Sequence, residues 1–263
     1  MTIPASQNPS LLPIVVGGFY RSGTTLLRRI LDAHSAIHCG PEIKFFRDFH
    51  GDYADDPLAH LRFFSTVRDY RTREADLLQL FGKAFVDFHV MAARSAGKRR
   101  WADKNPENAI YTAEWAALLP DGFLFIHLVR NPLDVLASLK ETPFRLTVPQ
   151  DLGERIALYK RFREAGEAFC ARTPQRSMEI SYEALVARPE TVLTEVFDFI
   201  GETFERGIAQ DFNSGRREHG LEDPKIKATT SIHTDSIGRW QIDLAADEVA
   251  LARSLLPARW IDS

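Results

Sequence analysis

With 263 residues, 44% of them hydrophobic and 26% charged, the chain has the composition of one soluble globular domain with a substantial core. A formal net charge of −3 supplies no basic field for nucleic acid or an anionic membrane, so any anion site must be built locally. The two cysteines, Cys39 and Cys170, form neither a disulfide framework nor a zinc spacing, and two thiols in a chain of this size fit a reducing cytoplasm.

The apolar stretch 11–16 has no basic start and is broken by Pro13. It reads as a first strand, 14–17, and not as a signal peptide. No apolar run approaches the roughly 20 residues that cross a bilayer. A helix is predicted over 23–34. Residues 44–96 form a polar, aromatic-rich region with helical character, and 101–103 reads as the end of a short strand. Residues 107–119 are patterned as an amphipathic helix that stops at Pro120-Asp121-Gly122. The continuous apolar run 123–129, FLFIHLV, is how a buried parallel strand reads. Pro132 sits where the next helix would start, and that helix continues to Lys140. A long helix over 152–171, a short strand over 178–181 and a helix over 190–200 closed by Gly201 complete the pattern. Strands alternating with helices predict an α/β, P-loop-like three-layer fold: a central parallel sheet of four or five strands flanked by helices. The expectation is a single domain over 1–263, with helical insertions at about 44–98 and 141–175.

The segment Gly18-Phe19-Tyr20-Arg21-Ser22-Gly23-Thr24-Thr25 follows an apolar strand and opens a helix. It has the spacing of a Walker A loop with Thr24 in place of the lysine. The glycines permit a tight turn, and successive N–H groups at the positive end of a helix can hold a phosphate or sulfate. A nucleoside triphosphatase would need the missing lysine and a Mg²⁺-binding acid. Here Arg21 supplies the charge, and Arg130 ends the second core strand where that acid would stand. Arg130 and Ser138 are eight residues apart, the first at a strand's carboxyl end and the second two turns along the next helix. Ligands of open α/β sheets bind at that end of the strands, and arginine gives planar, charge-assisted bonds to phosphate. An ion pair of Arg130 with Asp134, one turn on, is the plainer alternative.

These segments resemble the sulfotransferases that use 3′-phosphoadenosine-5′-phosphosulfate (PAPS), closest to the branch of the tyrosylprotein sulfotransferases and their bacterial relatives. PIVVGGFYRSGTTLLRRILDAHSAIHCGPE is similar to the family's 5′-phosphosulfate loop, and FIHLVRNPLDVLASL to its 3′-phosphate motif. ISYEALVARPETVLTEVFDFIG resembles the stretch after its third core strand, and Gly238-Arg239-Trp240 fits the tail. The resemblance implies sulfuryl transfer from PAPS to a hydroxyl or amine, with adenosine 3′,5′-bisphosphate released and no metal required. It implies a donor site of Arg21, Ser22, Gly23, Thr24, Thr25 and Leu26 about the phosphosulfate, and of Arg130 and Ser138 on the 3′-phosphate. Tyr182, Arg239 and Trp240 would close on the nucleotide. Ser231 would approach the sulfate, with Thr229, Thr230 and Ser236 competing for that place. Glu42 matches the branch's catalytic glutamate, although Pro41 stands where the branch often has a second acid. Lys104 matches its transition-state lysine, and Arg21 would share the charge. A helix-opening carboxylate and a solvated loop lysine are the plainer readings of Glu42 and Lys104.

His34, His38 and His127 are the other candidate bases; His127 lies inside an apolar run and His34 at a helix end. Phe45, Phe46, Phe49, Phe63 and Phe64 could line an aromatic acceptor site or simply form core. The expected acceptor is a small molecule, glycan or peptide bound on the side of the two insertions. Neither nucleic acid nor a membrane span is expected. Two other readings compete. A P-loop kinase of a small metabolite would bind ATP with Mg²⁺. A non-catalytic nucleotide-binding module would keep the fold without turnover.

Overall fold

The computed structural model describes residues 12–53, 63–67, 69–141, 144–212 and 231–262. Leu11, Thr229 and Thr230 lie outside the described residues. Five parallel strands form the sheet: β1 Ile14–Gly18, β2 Ile37–His38, β3 Arg100–Lys104, β4 Leu124–Val129 and β5 Ser177–Ser181. Their order is β2-β3-β1-β4-β5, with Val16 beside both Lys104 and Ile126, and Leu128 beside Ile180.

Strand side chains alternate between the two faces and so divide the core. Ile14, Val16, Ile126 and Leu128 pack with helix α1, Thr24–Ala33, and with Leu185, Leu193 and Phe197 from the helices after β5. Val15 and Phe125 face the other way, against Phe46, Phe85, Trp101 and Trp115. Trp101 belongs to β3 itself; Phe46 comes from α2, Phe45–His50, Phe85 from α3, Glu74–Ser95, and Trp115 from α4, Thr112–Leu118. A third cluster joins Phe19 and Tyr20 to α5, Pro132–Glu141, to α6, Leu152–Arg172, and to Trp260.

The expected helix over 107–119 is interrupted. A 3-10 turn, Pro106–Ala109, precedes α4. Asn108 is the cause: its side-chain amide donates to the Val16 carbonyl (3.0 Å) and to Asp103 Oδ1 (2.8 Å), and its oxygen accepts from Trp115 Nε1 (3.0 Å). That tie holds the residues after β3 against β1. The strand expected to end over 101–103 is longer, and β2 is an addition.

Candidate active site

Three strands deliver the site at their carboxyl ends, where open α/β sheets bind ligands. β1 runs into the loop 18–25, β3 ends on Lys104, and β4 is followed by Arg130. Gly23 caps α1 in the left-handed region (φ 90°), where a Cβ would overlap the Tyr182 ring. Arg21 also adopts a left-handed backbone (φ 66°), an expensive conformation for a non-glycine residue and one that collects at functional sites.

Two candidate anion subsites meet at this loop. Arg21 Nε donates to Ser138 Oγ at 2.8 Å, which ties the loop to α5. Arg130 donates to the Arg21 carbonyl (2.7 Å) and the Ser236 carbonyl (2.5 Å), and its guanidinium lies 4.5 Å from the centre of the Tyr182 ring. Its described partners are therefore neutral, and burial draws the Arg130 pKa below the usual guanidinium range. Ser22 Oγ and Arg130 Nε are buried with no hydrogen-bond partner among the described residues. Such groups are costly unless a ligand satisfies them. A glycine-containing turn at the start of a helix, two buried arginines and unsatisfied donors fit a doubly phosphorylated or phosphosulfated nucleotide.

Asp134 does not pair with Arg130 as the plainer reading had it. Its carboxylate accepts from the Gly238 N–H (2.8 Å) and the Trp240 N–H (3.1 Å), drawing the C-terminal segment over α5.

Glu42 and Lys104 come together beside the loop. Lys104, whose side chain is 1% exposed, donates to Glu42 Oε1 and to Thr25 Oγ1 (3.2 Å). Lys44 holds the other Glu42 oxygen at 2.7 Å. Burial alone would raise the Glu42 pKa, but Lys104 and Lys44 outweigh it and bring the carboxyl down to about 2.

Among the sequence candidates, Arg21, Ser22, Gly23, Thr24, Thr25, Glu42, Lys104, Arg130, Ser138 and Tyr182 thus converge on one end of the sheet. The rest do not join them by their side chains. Leu26, on the buried face of α1, is packed in the core. Arg239 pairs with Glu141 (2.9 Å) and Asp243 (2.6 Å). Trp240 packs beside the cluster of α5 and α6, and Ser231 is exposed. The histidines are committed elsewhere: His34 stacks on Phe197 and meets the Thr203 carbonyl, His38 pairs with Asp32, and buried His127 meets Glu179.

Sequence reasoning missed Glu107. It is fully buried beside Glu42, takes Lys44 Nζ at 3.1 Å on both oxygens, pairs with Arg47 Nε at 3.0 Å and accepts from the Tyr20 hydroxyl. Lys44, Phe45, Phe46, Phe85, Glu107 and Tyr111 are among the residues that line a cleft, joined to Glu42 through Lys44. Phe46 and Phe49 belong to the core, while Phe45 stacks on Phe85 at 4.5 Å.

Residues 13–206 match the model of the sulfotransferase family. A putative protein-tyrosine sulfotransferase of Caenorhabditis briggsae is 25% identical over 86% of this chain and 80% of its own length. The protein-tyrosine sulfotransferase of Drosophila melanogaster is 21% identical over 96% of this chain, which spans 51% of that relative; an uncharacterized protein of Aquifex aeolicus is 25% identical over 89% of this chain, which spans 31% of it. The sulfotransferase domain of the Synechococcus PCC 7002 olefin synthase superposes with a TM-score of 0.62 at 23% identity, covering 97% of this chain and 99% of that one. A sulfotransferase domain from the curacin biosynthetic pathway gives 0.60 at 20%, covering 94% and 99%. These two likenesses establish the shared fold.

Proposed function

The chain belongs to the sulfotransferase family, and on that premise we propose that it moves a sulfuryl group from PAPS to an acceptor hydroxyl or amine, with Glu42 as general base and Lys104 as the electrophile. The observation that carries this reading is the position of Lys104 Nζ, which touches both Thr25 of the phosphate loop and the Glu42 carboxylate. One lysine thereby joins the donor subsite to the base.

The donor supplies an activated S–O bond. Backbone N–H groups of the loop, with Ser22, Thr24 and Thr25, bind the phosphosulfate end at the N-terminus of α1. Arg130 and Ser138 take the 3′-phosphate, and Tyr182 supports Arg130 through its ring face. Glu42 accepts the acceptor's proton as the new S–O bond forms. Lys104 and Arg21 meet the charge left on the 5′-phosphate oxygen when the old S–O bond breaks. The cleft whose lining includes Phe45, Phe46, Phe85 and Tyr111 also includes Lys44, which binds Glu42, and it is the proposed acceptor side. The lining mixes these aromatics with Lys44, Arg47, Asp103, Asn105, Glu107 and Asn108, and the acceptor is a small molecule, a glycan or a peptide. Two free thiols, Cys39 and Cys170, suit the cytoplasmic location we propose. No helix among the described residues is long and apolar enough to cross a membrane.

The test is a screen of phenols, sugars, amines and tyrosine peptides with ³⁵S-labelled PAPS. Label on an acceptor is expected. Labelling of acceptors by [γ-³²P]ATP and none by PAPS would instead make the protein a kinase.

A further inference from the structure

The proposed mechanism asks Lys104 to do two things. In the structure it holds Glu42 Oε1, and during transfer it must neutralise the leaving phosphate oxygen. As it turns to that oxygen, Glu42 loses its contact at Oε1. A carboxylate released in this way would be free to rotate and, in a buried site, to take up a proton. The structure provides a second contact that need not move. Lys44 Nζ holds Glu42 Oε2 at 2.7 Å.

Lys44 is itself pinned from behind. Both oxygens of Glu107 accept from it at 3.1 Å. Glu107 in turn is fixed by Arg47 of α2 and by the hydroxyl of Tyr20, a residue of the phosphate loop. Lys44 also lies 5.4 Å from the centre of the Tyr20 ring. The chain Tyr20–Glu107–Lys44–Glu42–Lys104–Thr25 therefore leaves the loop and returns to it, with the base in the middle. A buried acid such as Glu107 is expensive to ionise without partners. Here Lys44 and Arg47 outweigh burial and hold its pKa below the usual carboxylate range.

We infer that Lys44, anchored by Glu107, is a positioning residue that keeps Glu42 oriented and ionised while Lys104 is engaged with the donor. This rests on the assignment of Glu42 as the base. The charged and titratable groups around Glu42 are Lys104 from β3, Lys44 from its own segment, and behind them Glu107 from the 3-10 turn, Arg47 from α2 and Tyr20 from the loop. Lys44 touches neither the loop hydroxyls nor Arg130 in any described hydrogen bond, so its loss should spare the donor site.

The experiment is a ¹³C-carboxyl NMR titration of Glu42 in the full chain saturated with adenosine 3′,5′-bisphosphate, whose 5′-phosphate presents the oxygen that Lys104 would meet. Lys44→Met is expected to raise the Glu42 midpoint by about one to three pH units, the usual effect of losing a contacting opposite charge. Lys44→Arg is expected to keep it low. Lys44→Met leaves Glu107 short of a partner and could unfold, so Lys44→Met combined with Glu107→Gln removes both charges and should still raise the midpoint, by less than Lys44→Met alone, because the Glu107 carboxylate no longer repels that of Glu42. With an acceptor found by the PAPS screen, Lys44→Met should lower kcat roughly 10²-fold, as for a misplaced catalytic group, with unchanged affinity for adenosine 3′,5′-bisphosphate. A Glu42 midpoint equal to wild type in both Met variants overturns the inference. Undiminished turnover of Glu42→Gln is a different result, which removes the base assignment on which the inference rests.

Discussion

Replacing Glu42 by glutamine perturbs stability, donor binding and turnover in ways that can be read separately. The carboxyl sits near 2, where the free side chain has 4.5, and at about 1.4 kcal/mol per pH unit that gap corresponds to on the order of 3 kcal/mol. The sign follows from the lowered pKa: this stabilisation is complete above pH 4.5 and is lost as the pH falls through 2. At pH 7 the glutamine variant should therefore melt roughly 6–12 °C lower, at about 2–4 °C per kcal/mol for a chain of this size. The two proteins should converge in stability as the pH approaches 2. Donor affinity should move the other way or not at all, because Lys104 no longer has Glu42 as a competitor for its charge. Turnover should fall about 10²–10⁴-fold, the usual contribution of a positioned general base. Melting curves from pH 2 to 7, calorimetry with adenosine 3′,5′-bisphosphate and ³⁵S transfer from PAPS read the three quantities separately. A glutamine variant with wild-type turnover would refute the role given to Glu42. Equal stability at pH 7 would refute the charge-clamp account of its environment.

Two further outcomes follow from the loop. Gly23→Ala should cost about 2–4 kcal/mol by thermal melting, since it adds the left-handed penalty to an overlap with a Tyr182 ring held beneath Arg130; wild-type stability would show that the cap is not under this constraint. Arg130→Ala should weaken adenosine 3′,5′-bisphosphate by roughly 10–100-fold, the loss of one or two charge-assisted bonds, and should affect 5′-phosphosulfate analogues lacking the 3′-phosphate much less. Equal losses for both ligands in calorimetry would remove Arg130 from the 3′-phosphate subsite.

What the sequence made legible was what one βα unit contains. The loop 18–25 is a strand, a turn and a helix start, so its spacing alone announces an anion nest. Arg130 and Ser138 likewise belong to one strand and the helix after it, and the apolar run before Arg130 marks a buried strand. The contacts between units were not legible. Glu42 and Lys104 each stood out, but their ion pair spans 62 residues of chain, and Glu107 lies 63 residues from Lys44 and 87 from Tyr20. Read locally, Glu107 was only an acid at a helix start. β2 has two residues, too few to show an alternation. The broken helix after β3 escaped because its cause, the Asn108 amide on the Val16 carbonyl, is a tertiary bond. Arg239 is the converse case: Asp243, one turn further along the chain, was the local partner that claims it.

The central claim is the identity of the donor. Titration calorimetry of the intact chain with adenosine 3′,5′-bisphosphate, and separately with ATP and Mg²⁺, tests it most directly. The account expects one-to-one binding of the bisphosphate without added metal and much weaker binding of ATP–Mg²⁺. Tight binding of ATP–Mg²⁺ with no heat from the bisphosphate would contradict it.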